Sequence, residues 1–169
     1  KKKNQNLNFK ILNTGISAKL LFDENKLKKN ITGSSKINLS NNLIKFNFDF
    51  NNKNLKILKS NFRNKDLSFS LDSFIKFNPF FNISSNININ GINNDFIGKL
   101  NLDDILKKKK IIKKINSEIK INYKSKKFFS SFIESYSSNL NIAYGRLDFT
   151  NKILFAGAEI NCRGDSILI

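Results

Sequence analysis

The sequence predicts a mainly β protein: an extended antiparallel sheet, with an amphipathic helix inserted near 102–116 and a second, short helix near 128–136. Two observations carry the β assignment. Apolar and polar residues alternate over short runs, as in "IKFNFDF" (Ile44–Phe50) and "NININGI" (Asn86–Ile92). Polar turns recur between such runs at roughly ten-residue spacing, the mark of a meander of similar hairpins. A third observation marks a break: from Asn101 to Glu118 the apolar residues fall at helical spacing.

Taken in order, Leu7, Phe9 and Ile11 share one face and lead to the turn "NTG" at Asn13–Gly15. Ile16, Ala18, Leu20 and Phe22 form the next set, closed by the turn-like "DENK" at Asp23–Lys26. Leu27 to Ile31 leads to Gly33, and Ile37 and Leu39 precede the turn "SNN". Ile44, Phe46, Phe48 and Phe50 make the clearest strand, with Lys45, Asn47 and Asp49 on its other face. After the hairpin loop "NNKN" (Asn51–Asn54), Leu55 and Ile57 resume the alternation. Leu67, Phe69 and Leu71 follow, then Phe81 and Ile83, then Ile87 and Ile89, with a bulge expected at Ser84–Ser85. Pro79 falls between strands, where a missing N–H is tolerated.

The helical segment places Leu102, Ile105, Leu106, Ile112 and Ile115 on one side. Asp103 and Asp104 lie in its first turn and Lys113 and Lys114 in its last, which suits the helix dipole. Phe128–Tyr136 reads as the short second helix, after which "NLNIAYGRLDF", "KILFAGAEINC" and "DSILI" read as strands. The organisation is one domain: a β-meander over 1–93, a helical insertion over 94–118 and returning strands over 119–169. The chain opens on Lys and closes inside "GDSILI", so it is expected to be a segment of a longer protein.

With 169 residues the chain is long enough for a genuine core. No run approaches the ~20 apolar residues of a membrane-spanning helix. The net charge of +17 favours anionic surroundings. Arg, which grips phosphate in bidentate fashion, occurs only at Arg63, Arg146 and Arg163. Lys is interleaved with Asn and Ser throughout, the usage of a genome poor in G and C, and no nucleic-acid partner is expected. His is absent, removing the commonest general base and a leading metal ligand. Asp103 and Asp104 are adjacent on a helix and point apart, so no acid–base pair forms there. No catalytic residue, metal site or cofactor is expected, and the protein is read as a non-enzyme. Cys162 is alone: a small, partly buried hydrophobe, or half of a disulfide completed outside this chain. "RGDS" (Arg163–Ser166) reads as a hairpin turn.

The remaining question is where the apolar faces go. One helix and a short one cannot cover so many strands, and each Phe or Ile left in water forfeits roughly 1.5–3 kcal/mol. The sheet can pair with a second one as a dry-core sandwich, close into a barrel, or curl into a groove filled by lipid. An outer-membrane barrel carries girdles of Trp and Tyr, whereas this chain has no Trp and 3 Tyr. Alternation alone does not separate a face packed on protein from one packed on acyl chains.

The stretches "NFRNKDLSFSLDSFIKFNPFFNISSNININGIN" (Asn61–Asn93), "LNLDDIL" and "SSNLNIAYGRLDFTNKILFAGAEINCRGD" resemble the AsmA-like, TamB-related family of bacterial envelope proteins. The likeness covers roughly residues 35–169 and lies in the order of elements rather than in an invariant motif. It implies a periplasmic protein anchored in the inner membrane by a helix outside this chain. It further implies a long, curled sheet of the bridge-like lipid-transfer type, whose apolar groove binds phospholipid acyl chains during outer-membrane biogenesis. Phe46, Phe48, Phe50, Leu55, Ile57, Leu67, Phe69, Leu71, Phe81, Ile83, Ile87 and Ile89 are the candidate groove lining, with Asn86, Asn88 and Asn90 as its wet outer wall. The alternative is a dry-core β-sandwich serving as a binding or adhesion domain of a surface protein.

Overall fold

The computed structural model describes residues 3–12, 15–25, 29–39, 42–93, 116–125 and 133–167. They form eleven strands: β1 (Lys3–Ile11), β2 (Ile16–Asn25), β3 (Asn30–Leu39), β4 (Asn42–Asn51), β5 (Asn54–Arg63), β6 (Leu67–Lys76), β7 (Asn82–Ile92), β8 (Asn116–Lys124), β9 (Ile133–Ala143), β10 (Arg146–Phe155) and β11 (Ala158–Ile167). All lie in one open sheet in chain order, with β1 and β11 as its edges. Nine of the ten neighbouring pairs are antiparallel, as the meander pattern predicts.

The exception is β7–β8, which is parallel, with Asn82 beside Asn116 and Ile89 beside Tyr123. A parallel neighbour requires the chain to cross back to the level where β7 began. Residues 93–115 supply that crossover length, and the predicted helix at 102–116 falls almost wholly on residues outside those described. Its last residue is corrected: Asn116 begins β8, where Ser117 and Ile119 alternate with Glu118 and Lys120. Residues 128–132 of the second predicted helix also lie outside the described set, and Ile133–Tyr136 are strand.

Other sequence expectations shift for identifiable reasons. Of the expected "DENK" turn, Asp23–Asn25 belong to β2 and Lys26 lies outside the described residues, while Lys29 takes a left-handed φ of 49° before β3. "NLNIAYGRLDF" and "KILFAGAEINC" are each two strands joined by a tight hairpin. Tyr144–Gly145 (φ 52° and 78°) and Ala156–Gly157 (φ 47° and 80°) have the paired positive φ of a type I′ turn. "RGDS" is no turn: Arg163–Ser166 pair along β10 inside β11. Gly164 is there because the Phe149 ring occupies the space a Cβ would need, 2.6 Å from its nearest carbon.

Bulges explain how apolar residues that fall out of phase stay on one face. Counting from Leu55 and Ile57, Phe62 should point the other way. An extra residue at Lys59–Ser60, opposite Phe46, restores it to face Ile44 and Phe69. Lys59 absorbs the distortion at φ 51°. Its N–H donates to Asp72 Oδ1 (3.0 Å), and the Ser60 hydroxyl serves both the N–H and the C=O of Leu71. In β7 the irregularity lies at Asn90, not at Ser84–Ser85, and it returns Ile92 to the face of Leu67. In β9 an extra Glu134 brings Ile133 opposite Phe155. Register is specified wherever one face is apolar, and each bulge preserves that specification.

No apolar side chain among the described residues is buried. The side chains that are buried belong to Ser35, Ser73, Ser117 and Ser138. The chain exposes 12857 Å², against about 8,500 Å² for a compact monomer of this mass. Among the described residues nothing lies on either side of this single layer to form a core.

Candidate functional site

Directly opposed residues of neighbouring strands share a face, so the register assigns every side chain to one of two surfaces. One surface is apolar from edge to edge. Across the sheet it runs Phe9, Ala18, Ile37, Ile44, Phe62, Phe69, Ile89, Tyr123, Tyr136, Ile153 and Ile160 as a single row. The other carries Asn, Lys, Ser and Asp, broken by a few exposed apolar residues such as Leu21, Leu58 and Phe74. Side chains on the apolar surface are mostly half-buried against one another, while those on the polar one are mostly exposed.

The predicted lining residues come together. Phe46, Phe48 and Phe50 on β4, Leu55 and Ile57 on β5, Leu67, Phe69 and Leu71 on β6, and Ile83, Ile87 and Ile89 on β7 all fall on this surface. Phe81 stands just before β7, its ring 6.2 Å from Phe77, which lies 6.3 Å from Phe50. Phe62 stacks on Phe69 at 4.8 Å. The Phe48 ring lies over Gly33, where a Cβ would sit 2.8 Å from it. Asn86 and Asn88 are on the polar surface, where both side-chain oxygens accept from Asn122 Nδ2 (3.1 and 3.2 Å). Asn90 is the bulge residue.

Sequence reasoning missed how far the surface extends. Ile31, Ile37 and Ile44 continue it toward β1, and Ile119, Ile121, Leu140, Leu147 and Phe149 continue it toward β11. The signal was the same alternation, obscured in β9–β11 by unrecognised turns. Cys162 belongs to this surface too, opposite Asn151, and is exposed because the edge strand has no outer neighbour.

Four buried serines interrupt the apolar surface at its floor. Ser73 Oγ bonds Ser85 Oγ at 2.8 Å, whereas Ser35, Ser117 and Ser138 have buried hydroxyls without a partner. Tyr136 donates to Asn151 Oδ1 at 3.1 Å.

Three shallow hollows lie on the polar surface. One of about 700 Å³ crosses β8–β11 and is lined by Glu118, Asn141, Arg146, Asp148, Arg163 and Asp165. Three of its charges meet: Arg146 lies 3.5 Å from Asp148 and 3.3 Å from Asp165, while Glu118 meets Lys120 at 3.3 Å. Among the described residues, no cluster of His, Cys, Asp and Glu is placed to hold a metal. No described helix is long and apolar enough to cross a membrane. The chemistry on offer is therefore a large apolar contact surface studded with a few hydroxyls. Comparison with protein-family models, with curated proteins and with solved structures finds no match to this chain.

Proposed function

We propose that the apolar surface is a binding surface for phospholipid acyl chains, in a non-enzymatic envelope protein that moves lipid toward the outer membrane. One observation carries the reading: a sheet apolar on one side across all eleven strands, with no apolar side chain buried among the described residues. Something apolar must cover that surface, and acyl chains suit it because they are as apolar as Leu and Ile and need no matching hydrogen-bond partners. Strands of 9–11 residues span about 30–36 Å at 3.3 Å per residue. That accommodates a single-leaflet acyl chain, about half of the ~30 Å hydrocarbon core.

In this reading the sheet curls so that the apolar surface is the inside of a groove. Strand twist and the bulges of β5, β7 and β9 supply curvature, since each bulge bends its strand. The mechanism is passive: the groove replaces water around the tails, and a gradient or partner sets direction. An AsmA-like location, periplasmic and anchored to the inner membrane outside this chain, follows from the sequence resemblance. The rival dry-core sandwich needs a second sheet over this surface, and the described residues supply one sheet only, which favours lipid. Native mass spectrometry of protein purified from cells, with extraction of bound lipid, tests the reading. Adducts of phospholipid mass are expected; a bare-protein mass with no recoverable lipid overturns it.

A further inference from the structure

The strands place alternate hairpins on opposite margins of the sheet, and the two margins differ. On one margin lie Lys29, the β4–β5 turn (Asn52–Lys53), the β6–β7 loop (Phe77–Phe81) and the β9–β10 turn (Tyr144–Gly145). The parallel β7–β8 pair keeps Asn116 beside Asn82, so the fourth tip lies on the same margin as the third. Tyr144 at 85% and Phe80 at 70% are the most exposed aromatic side chains among the described residues, and both stand here. Lys53 and Lys76 stand beside Phe80 and Lys29 further along the same margin, and all three are exposed. None of these described tip residues is a carboxylate. Among the described residues the opposite margin exposes Leu12 at a turn and Ile11, Leu39, Ile133 and Phe155 at strand ends, and it mixes Lys65 with Asp66.

We infer that the aromatic margin docks on an anionic lipid bilayer. Phe80 and Tyr144 enter the boundary between headgroups and acyl chains, and the lysines meet the acidic headgroups. An exposed aromatic beside uncompensated lysine is what a bilayer interface rewards: the ring leaves water while the ammonium stays at headgroup level. A protein partner of equal area would need shape complementarity, whereas a line of separate tips fits a flat, deformable surface. The tips are also tied together and to the apolar surface. Phe77 N donates to the Lys53 carbonyl at 2.8 Å, joining two neighbouring turns. The rings of Phe81, Phe77 and Phe50 follow at 6.2 and 6.3 Å, an apolar path from the tip onto the sheet. That last step rests on the proposed lipid-binding role and makes this margin the side where tails leave the bilayer.

Flotation with vesicles of phosphatidylcholine alone, or mixed with phosphatidylglycerol, reads the docking directly. The whole chain should float with the anionic vesicles and lose them as salt rises. Phe80→Asp should cut the bound fraction about tenfold or more, while Leu12→Asp on the other margin leaves it unchanged. Tyr144→Asn removes a ring yet suits a type I′ turn, so it should weaken binding with no loss of thermal stability. Lys53→Glu with Lys76→Glu should matter on anionic vesicles only. Floating of Phe80→Asp like the parent, equal loss in Leu12→Asp, or no flotation of the parent at all overturns the inference. The two proposals fail separately. Lipid adducts in a protein that ignores vesicles sink the docking margin alone, and docking by a protein of bare mass sinks the groove alone.

Discussion

β4–β7 and β8–β11 continue the same two surfaces but hold them by different means. In β4–β7 the ring pairs between described residues gather: Phe46–Phe48, Phe50–Phe77, Phe62–Phe69 and Phe77–Phe81. In β8–β11 lie the ion pairs between described residues: Lys120–Glu118, Arg146 with Asp148 and Asp165, and Lys152–Glu159. There the apolar surface is thinned by Ser117, Ser138, Asn151, Cys162 and Gly164. The described strands form a single layer without a core of their own, so their cohesion comes from cross-strand neighbours on each face. One region finds it on the apolar face and the other on the polar face.

The largest effect should come from charging the apolar surface on each side of the join. Ile87 and Ile121 are direct neighbours across the parallel pair, and Phe48 lies deeper in the ring-rich region. Ile87→Asp, Ile121→Asp and Phe48→Asp should each abolish lipid adducts while circular dichroism stays β-type. If lipid occupies β4–β7 alone, Ile121→Asp will keep its adducts. Global unfolding in all three would point instead to a dry core.

Next come the two glycines beneath rings. A Cβ at Gly33 would strike the Leu21 backbone carbonyl as well as the Phe48 ring, whereas at Gly164 it meets the Phe149 ring alone. A ring can swing aside and a ladder carbonyl cannot. Gly33→Ala should therefore cost about 2–3 kcal/mol and Gly164→Ala about 1, read from urea midpoints. Equal costs would mean the two regions are equally rigid.

The serines sharpen the contrast at smaller magnitude. Ser73→Ala breaks a bonded pair in β6–β7 and should cost about 1 kcal/mol. Ser138→Ala in β9 removes an unpartnered buried hydroxyl and should be neutral or stabilising by about as much. A destabilised Ser138→Ala would show that the hydroxyl has a partner in solution, and loss of lipid adducts would identify that partner.

How much of this was legible beforehand follows the same division. In β4–β7 strict alternation of Phe or Ile with Asn or Lys marked both strand and face, and all twelve predicted lining residues lie on that surface or at its margin. What escaped there was phase. Phe62 and Ile92 fall out of phase with their strands, and a bulge, a tertiary compromise between register and burial, returns each to the apolar face. In β8–β11 the turns escaped, because Tyr and Ala are poor signals for a positive φ and only the following Gly marks a type I′ hairpin. Gly164 read as a turn residue when its small size served a ring instead. The parallel pairing was not legible, since alternation does not encode strand direction. The single layer was not legible either: a period of two reports an apolar face, and not what lies over it.

The smallest effect isolates the polar-face pairs of the edge. Lys152 Nζ lies 2.7 Å from Glu159 Oε2 across β10–β11. That contact, with help from Asn161 Nδ2, holds the Glu159 carboxyl below the usual carboxylate range. A depressed folded-state value means that the pair's contribution is present above the unfolded glutamate's titration and fades as pH falls through the folded one. Carboxyl NMR should show Glu159 titrating below a free glutamate, and Lys152→Ala should return it toward the ordinary value. The group is exposed, so the readout is local rather than a change in global stability. Hydrogen exchange at acid pH should loosen β10–β11 while the ring-paired β5–β6 ladder keeps its protection, because a phenyl pair has no proton to gain. If β5–β6 loosens at the same pH, the polar-face pairs hold the whole sheet and the two regions are not independent.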